Sequence, residues 1–416
     1  MKIFGLLMLF LVLFRFAAAQ DSPAECSPAA DSPLRIGAVF PPESLFSVEA
    51  ADPYRGAAAM IETLNACGGV NGRPVELVYR AAANHNQALA AVEALRDDVP
   101  LVIGSGSPVI SDVLLEASRD GAFVYWEVTE PLDTPHEYAF SLRPSSAAFG
   151  RLAADFVNDF AAGLPEGEQL RAAVIYENRP RASAAAGELI VSLNADPLFT
   201  RRYNNTLTGT YDLAVQMRER GINTVILVGF EDDADGLWYD MREADANLRA
   251  WIHVGGEAYR RNTCDRLGNT DSLIAISAAG PASETYRYGA LGVLYEQYLQ
   301  VYRQRFEREP GERANQGASG VYLLLRYAAP VVDFSADGFR AAILAAAAPA
   351  PAGLMGEEVL FAAGANTEAA VIVTQRQNGR FCTIYPAALA TCSDSLLPFP
   401  TWRERALIEE RTTCQN

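Results

Sequence analysis

A chain of 416 residues is long enough for two or three domains, and its half-hydrophobic composition is sufficient for packed cores. Its formal net charge of −17 disfavours nucleic acid and anionic membranes as partners. Lysine occurs once, at position 2, which excludes a phosphate-binding Walker A loop and Schiff-base chemistry from the rest of the chain.

The first nineteen residues predict a cleaved secretory signal. An early lysine and an apolar run lead to the small residues Ala17 and Ala19, which place the cleavage site before Gln20. The alternative is a membrane anchor, but the apolar run is short and contains Arg15. Loss of this segment with its lysine and arginine takes the net charge to −19. Residues 20–33, rich in Asp, Ser, Pro and Ala, predict a flexible lead-in.

Strands and helices alternate over the next hundred residues. Continuous apolar runs predict strands, and apolar positions at helical spacing predict helices, the first of which stops at a Gly-Gly pair. Such alternation with short connections indicates a parallel sheet with helices on both faces. The predicted strands cover 34–40, 74–80, 100–104 and 122–126, and the predicted helices cover 52–67, 86–96 and 108–119.

The pattern is interrupted at residues 138–146 and then restarts, which predicts a second lobe built like the first. The fold class is therefore α/β, with two doubly wound parallel-sheet lobes. In this part we expect helices over 147–162, 182–194, 210–220, 234–246, 284–307, 316–331 and 337–347, and strands over 171–177, 197–203, 223–230, 250–255, 358–361, 368–375 and 380–385.

The stretch Gly104–Ser107 follows a buried strand and opens a helix, an arrangement typical of an anion-binding turn. Backbone N–H groups and the hydroxyls of Ser105 and Ser107 would face the anion. Because no lysine is available, we predict a single carboxylate, whose one delocalised charge needs no cation beside it. The structural alternative is that Ser107 only caps the helix.

Two further strand ends carry unusual residues. Trp126, Glu127 and Thr129 follow one predicted strand, and Glu257 follows the Gly255–Gly256 turn after another. Doubly wound sheets bind ligands outside the carboxyl ends of their strands, so anion donors and carboxylates gathered there would suit a zwitterion. The alternatives are a core position for Trp126 and a solvated loop position for Glu257.

An exported enzyme is the rival interpretation. The three histidines, His85, His136 and His253, do not stand at metal-ligand spacing, and no G-x-S-x-G nucleophile motif occurs. The GSGS turn lacks the third glycine of a dinucleotide-binding fingerprint. We therefore predict a binding protein without catalysis, metal or cofactor.

The six cysteines contain no C-x-x-C pair, and an even number in an exported chain predicts disulfides. Cys382 and Cys392 flank a short loop, and we predict that they are bonded to each other. Cys67, beside the Gly-Gly turn, is expected to be unpaired or packed.

The stretch 55–79 resembles the type I periplasmic solute-binding proteins, in particular the leucine/isoleucine/valine-binding group of ABC importers. The resemblance extends from about Leu34 to Phe381 and weakens after Cys382. The residues in register with the first helix, Gly-Gly turn and second strand of that family are Gly56, Asn65, Gly68, Gly69, Asn71, Gly72 and Arg73.

This resemblance implies a Venus-flytrap architecture, in which two lobes are joined by three crossovers and the ligand lies between them. The crossovers are expected near 145–148, 277–281 and 353–357. The implied organisation is a signal peptide at 1–19, a lead-in at 20–33, a first lobe of 34–147 plus 278–353, a second lobe of 148–277 plus 354–390, and a tail at 391–416.

The resemblance also implies a ligand site. The family's Gly-then-Ser strand end, which holds an α-carboxylate, matches Gly104–Ser107, and its hydroxyl donor matches Thr129. Its ammonium-binding acid matches Glu257 and an aromatic matches Phe230. Phe46 is the candidate for the aromatic of the first loop.

Two positions depart from the family pattern. Glu127 stands where a small residue is usual, and Arg181 stands near a usual aromatic. The amino-acid clamp is therefore expected to be kept and the side-chain pocket to be changed. Glu127 is expected to contact the side chain of the ligand.

The expected function is capture of an amino acid or related small polar solute between the lobes and its delivery to the membrane permease of an ABC importer. Binding and hinge closure would suffice, with no chemistry on the solute. We expect a periplasmic monomer. An extracytoplasmic sensor of the same fold, reporting to a membrane partner, is the alternative, and an exported enzyme is the third interpretation.

Overall fold

The computed structural model describes residues 32–43, 48–204, 206–229, 235–255, 271–278, 292–328, 333–346, 359–377, 380–392 and 395–409. Within these ranges, strands and helices alternate as the sequence predicts, and the strands form two sheets of seven. Among the same residues, no helix combines the length and apolar character that a membrane crossing requires.

The sheet of the first lobe has the order β11–β12–β5–β4–β3–β1–β2. Its strands pair in parallel, apart from β11, which is antiparallel to β12. These strands are β1 (Leu34–Phe40), β2 (Val75–Ala81), β3 (Leu101–Gly104), β4 (Val124–Glu127), β5 (Ala139–Ser141), β11 (Phe361–Ala362) and β12 (Ala365–Asn366).

The sheet of the second lobe has the order β14–β13–β10–β9–β8–β6–β7, with β13 and β14 antiparallel to their neighbours. Strands β8 and β9 are buried along their whole length, which explains why they are continuous apolar runs. The strands are β6 (Ala172–Glu177), β7 (Phe199–Tyr203), β8 (Thr224–Val228), β9 (Ala250–Val254), β10 (Ile274–Ala278), β13 (Val371–Gln377) and β14 (Arg380–Tyr385).

Helices cover both faces of each sheet, so each lobe has two apolar layers. In the first lobe α1, α8, α9 and α10 pack on one face and α2 and α3 on the other. In the second lobe α4 and α5 face α6 and α7 across the sheet. The helices are α1 (Asp52–Ala66), α2 (His85–Leu95), α3 (Pro108–Ala117), α4 (Ser146–Ala162), α5 (Pro180–Ser192), α6 (Thr210–Glu219), α7 (Asp235–Glu243), α8 (Gly292–Phe306), α9 (Glu312–Ala328), α10 (Ala336–Leu344) and α11 (Trp402–Glu409).

Helices α1 and α9 approach each other closely through two glycines. A Cβ atom on Gly56 would lie 1.7 Å from the carbonyl oxygen of Ala314, and one on Gly317 would lie 1.9 Å from that of Pro53. Any side chain at either position would therefore force the helices apart. The glycine in register with the family's first helix thus has a packing role.

The resemblance implies three crossings of the chain between the two lobes, and the second of them, after β10, lies outside the described residues. The first crossing lies between β5 and α4, close to the expected position. Because β12 belongs to the first sheet and β13 to the second, the third crossing lies between Asn366 and Val371, later than the expected 353–357. The sequence did not reveal this, since β11 and β12 are two-residue strands with no periodicity.

Cys382 and Cys392 form a disulfide with a Cα–Cα distance of 5.8 Å, which confirms the predicted pair. Cys67 was expected to be unpaired or packed; it is disulfide-bonded, so the first alternative was wrong. The even number of cysteines was the better guide at this position.

Candidate functional site

The Gly104–Ser107 turn lies beside the end of β4, because Gly104 pairs with Glu127 in the parallel β3–β4 register. Gly106 has a φ of 71°, in the left-handed region that glycine favours. The turn therefore folds back over the carboxyl edge of the sheet, with its N–H groups directed at the residues that follow β4.

The carboxylate of Glu127 accepts two hydrogen bonds from Ser105 of this turn. Its Oε1 atom lies 3.0 Å from the backbone nitrogen of Ser105, and its Oε2 atom lies 2.9 Å from the Ser105 hydroxyl. Oε1 also accepts from the backbone nitrogens of Thr129, at 2.8 Å, and Glu130, at 3.0 Å. The turn thus holds one carboxylate, but the carboxylate belongs to the protein rather than to a ligand.

Tyr125 completes the surroundings of this carboxylate. Its hydroxyl donates a hydrogen bond to Glu127 and lies 3.2 Å from the Ser111 hydroxyl. Burial and the negative charge of Glu127 raise the pKa of Tyr125 well above its ordinary value. The phenol therefore stays neutral and remains a donor to the carboxylate.

Several residues predicted to touch a ligand are buried instead. Ser105, Trp126 and Glu127 have no exposed surface. The indole nitrogen of Trp126 donates to the carbonyl of Gly320 at 3.1 Å, and its ring packs edge-on against Phe361. Trp126 is thus a core residue, and Glu127 organises the turn rather than reaching a ligand side chain.

Thr129 and Ser107 differ in how their hydroxyls are used. The Thr129 hydroxyl accepts from the backbone nitrogen of Gly106 at 2.9 Å and lies 3.1 Å from Glu127 Oε1. Ser107 is partly exposed at the start of α3, where its side chain makes no capping bond. Among the described residues, its hydroxyl has no hydrogen-bond partner and is free to meet a ligand.

Arg181 brings the two lobes together. It lies in the first turn of α5, directly after the carboxyl end of β6 in the second lobe. Its Nη1 atom lies 3.2 Å from Glu130 Oε2, and its Nη2 atom lies 3.0 Å from Asp112 Oδ1, both in the first lobe. Arg181 and Glu130 are 8% and 5% exposed, so this contact is largely desolvated. The strand-end edges of the two lobes therefore face each other.

The first-lobe side of this contact is acidic. Burial raises the pKa of the Asp112 carboxyl; Arg181 lowers it, whereas the negative charges of Glu127 and Asp133 raise it further. The group of the second lobe that contacts these acids is the guanidinium of Arg181. Sequence reasoning identified Arg181 but missed its partners Glu130, which follows β4 by three residues, and Asp112, which lies within α3.

Three predicted ligand residues, Phe46, Phe230 and Glu257, lie outside the described residues. Strands β8 and β9, which lead towards the last two, are parallel neighbours and end side by side at Val228 and Val254. Within the described ranges, no group of three His, Cys, Asp or Glu side chains could hold a metal ion.

The sequence profile of a family described as periplasmic binding protein matches residues 33–380. A Leu/Ile/Val-binding protein homolog 7 from Brucella abortus is 22% identical over 405 residues, which cover 93% of this chain and 99% of the relative. A Leu/Ile/Val-binding protein homolog 8 from Brucella melitensis is 23% identical over 380 residues, covering 87% and 93%.

Solved structures share the fold. The branched-chain amino acid transporter substrate binding protein LivJ from Streptococcus pneumoniae, in complex with isoleucine, has a TM-score of 0.68 at 13% identity and covers 85% of this chain and all of its own. A solute binding protein of an ABC transporter from R. palustris, in complex with benzoate, has a TM-score of 0.66 at 13% identity, covering 87% and 98%.

Proposed function

Because the chain belongs to the periplasmic binding protein family, and is thus a binding protein and not an enzyme, we propose that it captures a small polar solute between its two lobes for an ABC importer. Capture would consist of binding followed by hinge closure. The named relatives bind, or are named for binding, amino acids and a small aromatic acid, which supports a solute of that size.

The observation that carries this proposal is the contact of Arg181 with Glu130 and Asp112. The ion pair between Arg181 and Glu130 is buried and joins the two lobes, which supports an arrangement in which their facing edges close on each other. Charged and polar side chains at such edges are the usual means of fixing the orientation of a small ligand. Closure of the lobes about a hinge would bring Arg181 to Glu130 in this way.

The N-terminal segment 1–19 supports export, and we propose that it is removed before Gln20. The membrane permease of an ABC importer is the proposed partner, and the binding protein is proposed to act as a monomer in the periplasm. Phe230 and Glu257 on the second lobe, with Ser107 on the first, remain the proposed ligand contacts.

The test is a thermal-shift screen of the exported chain, residues 20–416, against amino acids, their amides, short peptides and small organic acids. A ligand at about 100 times its Kd adds roughly 2.7 kcal/mol of stability. Small-angle scattering with each hit should show a smaller radius of gyration, because the hit favours closure. A broad panel without any shift in melting temperature would contradict the proposal.

A further inference from the structure

Among the residues that the structure describes, Arg143 is a buried cation without a carboxylate partner. It is 8% exposed, and its Nε and Nη1 atoms are buried without a hydrogen-bond partner. Two other buried arginines of the described chain face a carboxylate, Arg181 with Glu130 and Arg376 with Asp271. A guanidinium removed from water and left unpaired is costly, so such a group is kept where something else supplies the anion.

The position of Arg143 connects it to the contact between the lobes. It stands two residues after β5, on the first crossing, and Pro144 favours an extended backbone at this position. The Ser141 hydroxyl accepts from the Arg143 backbone nitrogen at 3.1 Å and lies 3.2 Å from the carbonyl oxygen of Glu130. The backbone of Arg143 is thus connected through the Ser141 hydroxyl to Glu130, the residue that pairs with Arg181.

Three residues further along the chain, a second polar group is also without a partner among the described residues. The hydroxyl of Ser146, in the first turn of α4, is fully buried and has no hydrogen-bond partner. The backbone nitrogen of the same residue donates to Asp133 at 2.7 Å, so the helix terminus itself already has an anion. Two unsatisfied donors within four residues of the crossing indicate a site for a further acceptor.

Resting on the proposed function, we propose that Arg143 binds the carboxylate of the solute. Within the Gly104–Ser107 turn, the nitrogen and hydroxyl of Ser105 already donate to Glu127 and the Gly106 nitrogen donates to Thr129, so these donors are not available for this role. A guanidinium matches the two oxygens of a carboxylate in a bidentate pair. Asp112, Glu130 and Asp133 at the same edge would repel a dianion such as phosphate, so a single negative charge fits best.

Two substitutions at Arg143 test this inference. Arg143→Met removes the charge and keeps much of the length, whereas Arg143→Lys keeps the charge but loses the bidentate geometry. The matched control is Arg376→Met in the second lobe, since Arg376 is equally buried but faces Asp271 at 4.0 Å. The probes are two carboxylates, leucine and benzoate, and their amides, leucinamide and benzamide, in which a neutral amide replaces the carboxylate. Calorimetry measures the affinity for each.

The wild-type chain is expected to prefer the carboxylate member of at least one pair. Arg143→Met should bind that carboxylate at least about 30-fold more weakly and bind the amide unchanged, while Arg143→Lys keeps a reduced preference. Without solute, Arg143→Met should melt no lower than the wild type, because it removes an unpaired buried charge. Arg376→Met should melt lower and keep the wild-type preference.

Equal affinity of the wild type for acid and amide, or an unchanged preference in Arg143→Met, would overturn the role of Arg143 and leave the proposed function standing. A lower melting temperature of solute-free Arg143→Met, with unaltered selectivity, would make Arg143 a structural residue. If the wild type binds no solute of the broad panel, the proposed function and this inference fail together.

Discussion

Glu127 Oε1 lies 3.0 Å from the backbone nitrogen of Ser105, so the anion-binding turn of the first lobe closes on a side chain of its own sheet. The carboxylate is fully buried and accepts hydrogen bonds from both sides of the β3–β4 edge. An internal anion of this kind fixes the shape of the turn before any solute arrives.

Glu127→Ala should therefore destabilise the first lobe, because it leaves several buried donors without their acceptor at a cost of about 1–3 kcal/mol each. Formate or acetate at high concentration should restore part of the loss by occupying the vacated position. Urea unfolding with and without these anions measures both effects. The control is Glu116→Ala, which removes an exposed carboxylate of α3 and should show neither the loss of stability nor the recovery with anions. If small anions do not stabilise Glu127→Ala selectively, the prediction is contradicted.

Tyr125→Phe should change the pH dependence of stability. The pKa of Tyr125 in the folded protein lies well above the value of about 10 in an unfolded chain, so its contribution to stability is complete below pH 10 and is lost as the pH rises further. The variant should be less stable by about 1.5–3 kcal/mol at pH 7, since a hydrogen bond to a charged acceptor is removed.

Above pH 10, Tyr125→Phe should lose stability less steeply than the wild type. Urea midpoints between pH 7 and 11 measure the slope. Tyr211→Phe, at a half-exposed tyrosine, is the control and should follow the wild-type curve. Parallel curves for Tyr125→Phe and the wild type would show that the buried phenol is not the titrating group.

Arg181→Ala should favour the open arrangement of the lobes. Removing the guanidinium leaves the buried side of Glu130 without this ion pair, and opening lets water solvate it. Small-angle scattering should show a larger radius of gyration, while the melting temperature changes little because neither lobe core is touched. Arg151→Ala breaks an exposed ion pair within the second lobe and should leave the radius unchanged; an equal change in both variants would be evidence against an interlobe role.

Replacing Cys382 and Cys392 by serine should lower stability by roughly 2–3 kcal/mol, the chain-entropy value for a loop of this size. The effect should be confined to the second lobe, because β14 pairs with β13 there. Hydrogen exchange of the two lobes measures this. Protection lost equally in both lobes would instead mean that they unfold as one unit.

Glu257→Ala should weaken solute binding by roughly 30-fold to several thousand-fold if this acid pairs with a ligand ammonium in the closed cleft. Calorimetry with the screened solute measures the affinity, and the melting temperature without solute should stay close to that of the wild type. An unchanged dissociation constant would make Glu257 a solvated loop acid.

The alternation of elements could be predicted because each element carries its own periodicity. β3, the glycine turn and α3 were recognisable as one unit, and the donor character of that unit was visible in its residue types. Cys382 and Cys392 were predictable for the same local reason, since a short loop separates them.

The identity of the anion could not be predicted, because it depends on which strand lies beside β3 and in which register. Only the pairing of Gly104 with Glu127 brings the carboxylate to the turn. The partners of Arg181 come from another lobe, about fifty and seventy residues away along the chain. The unpaired state of Arg143 depends on every neighbour at once, and no sequence pattern reports it.

The late third crossing has a consequence for how the protein matures. Neither lobe is contiguous in sequence: the first sheet lacks its edge until Asn366 has been supplied, and the second lacks two strands until Tyr385. During synthesis, which begins at the N-terminus, neither sheet can be completed before the residues up to Asn366 and Tyr385 have been made. Each sheet therefore reaches its full set of strands only near the C-terminal end of the fold, and the two sheets are completed together.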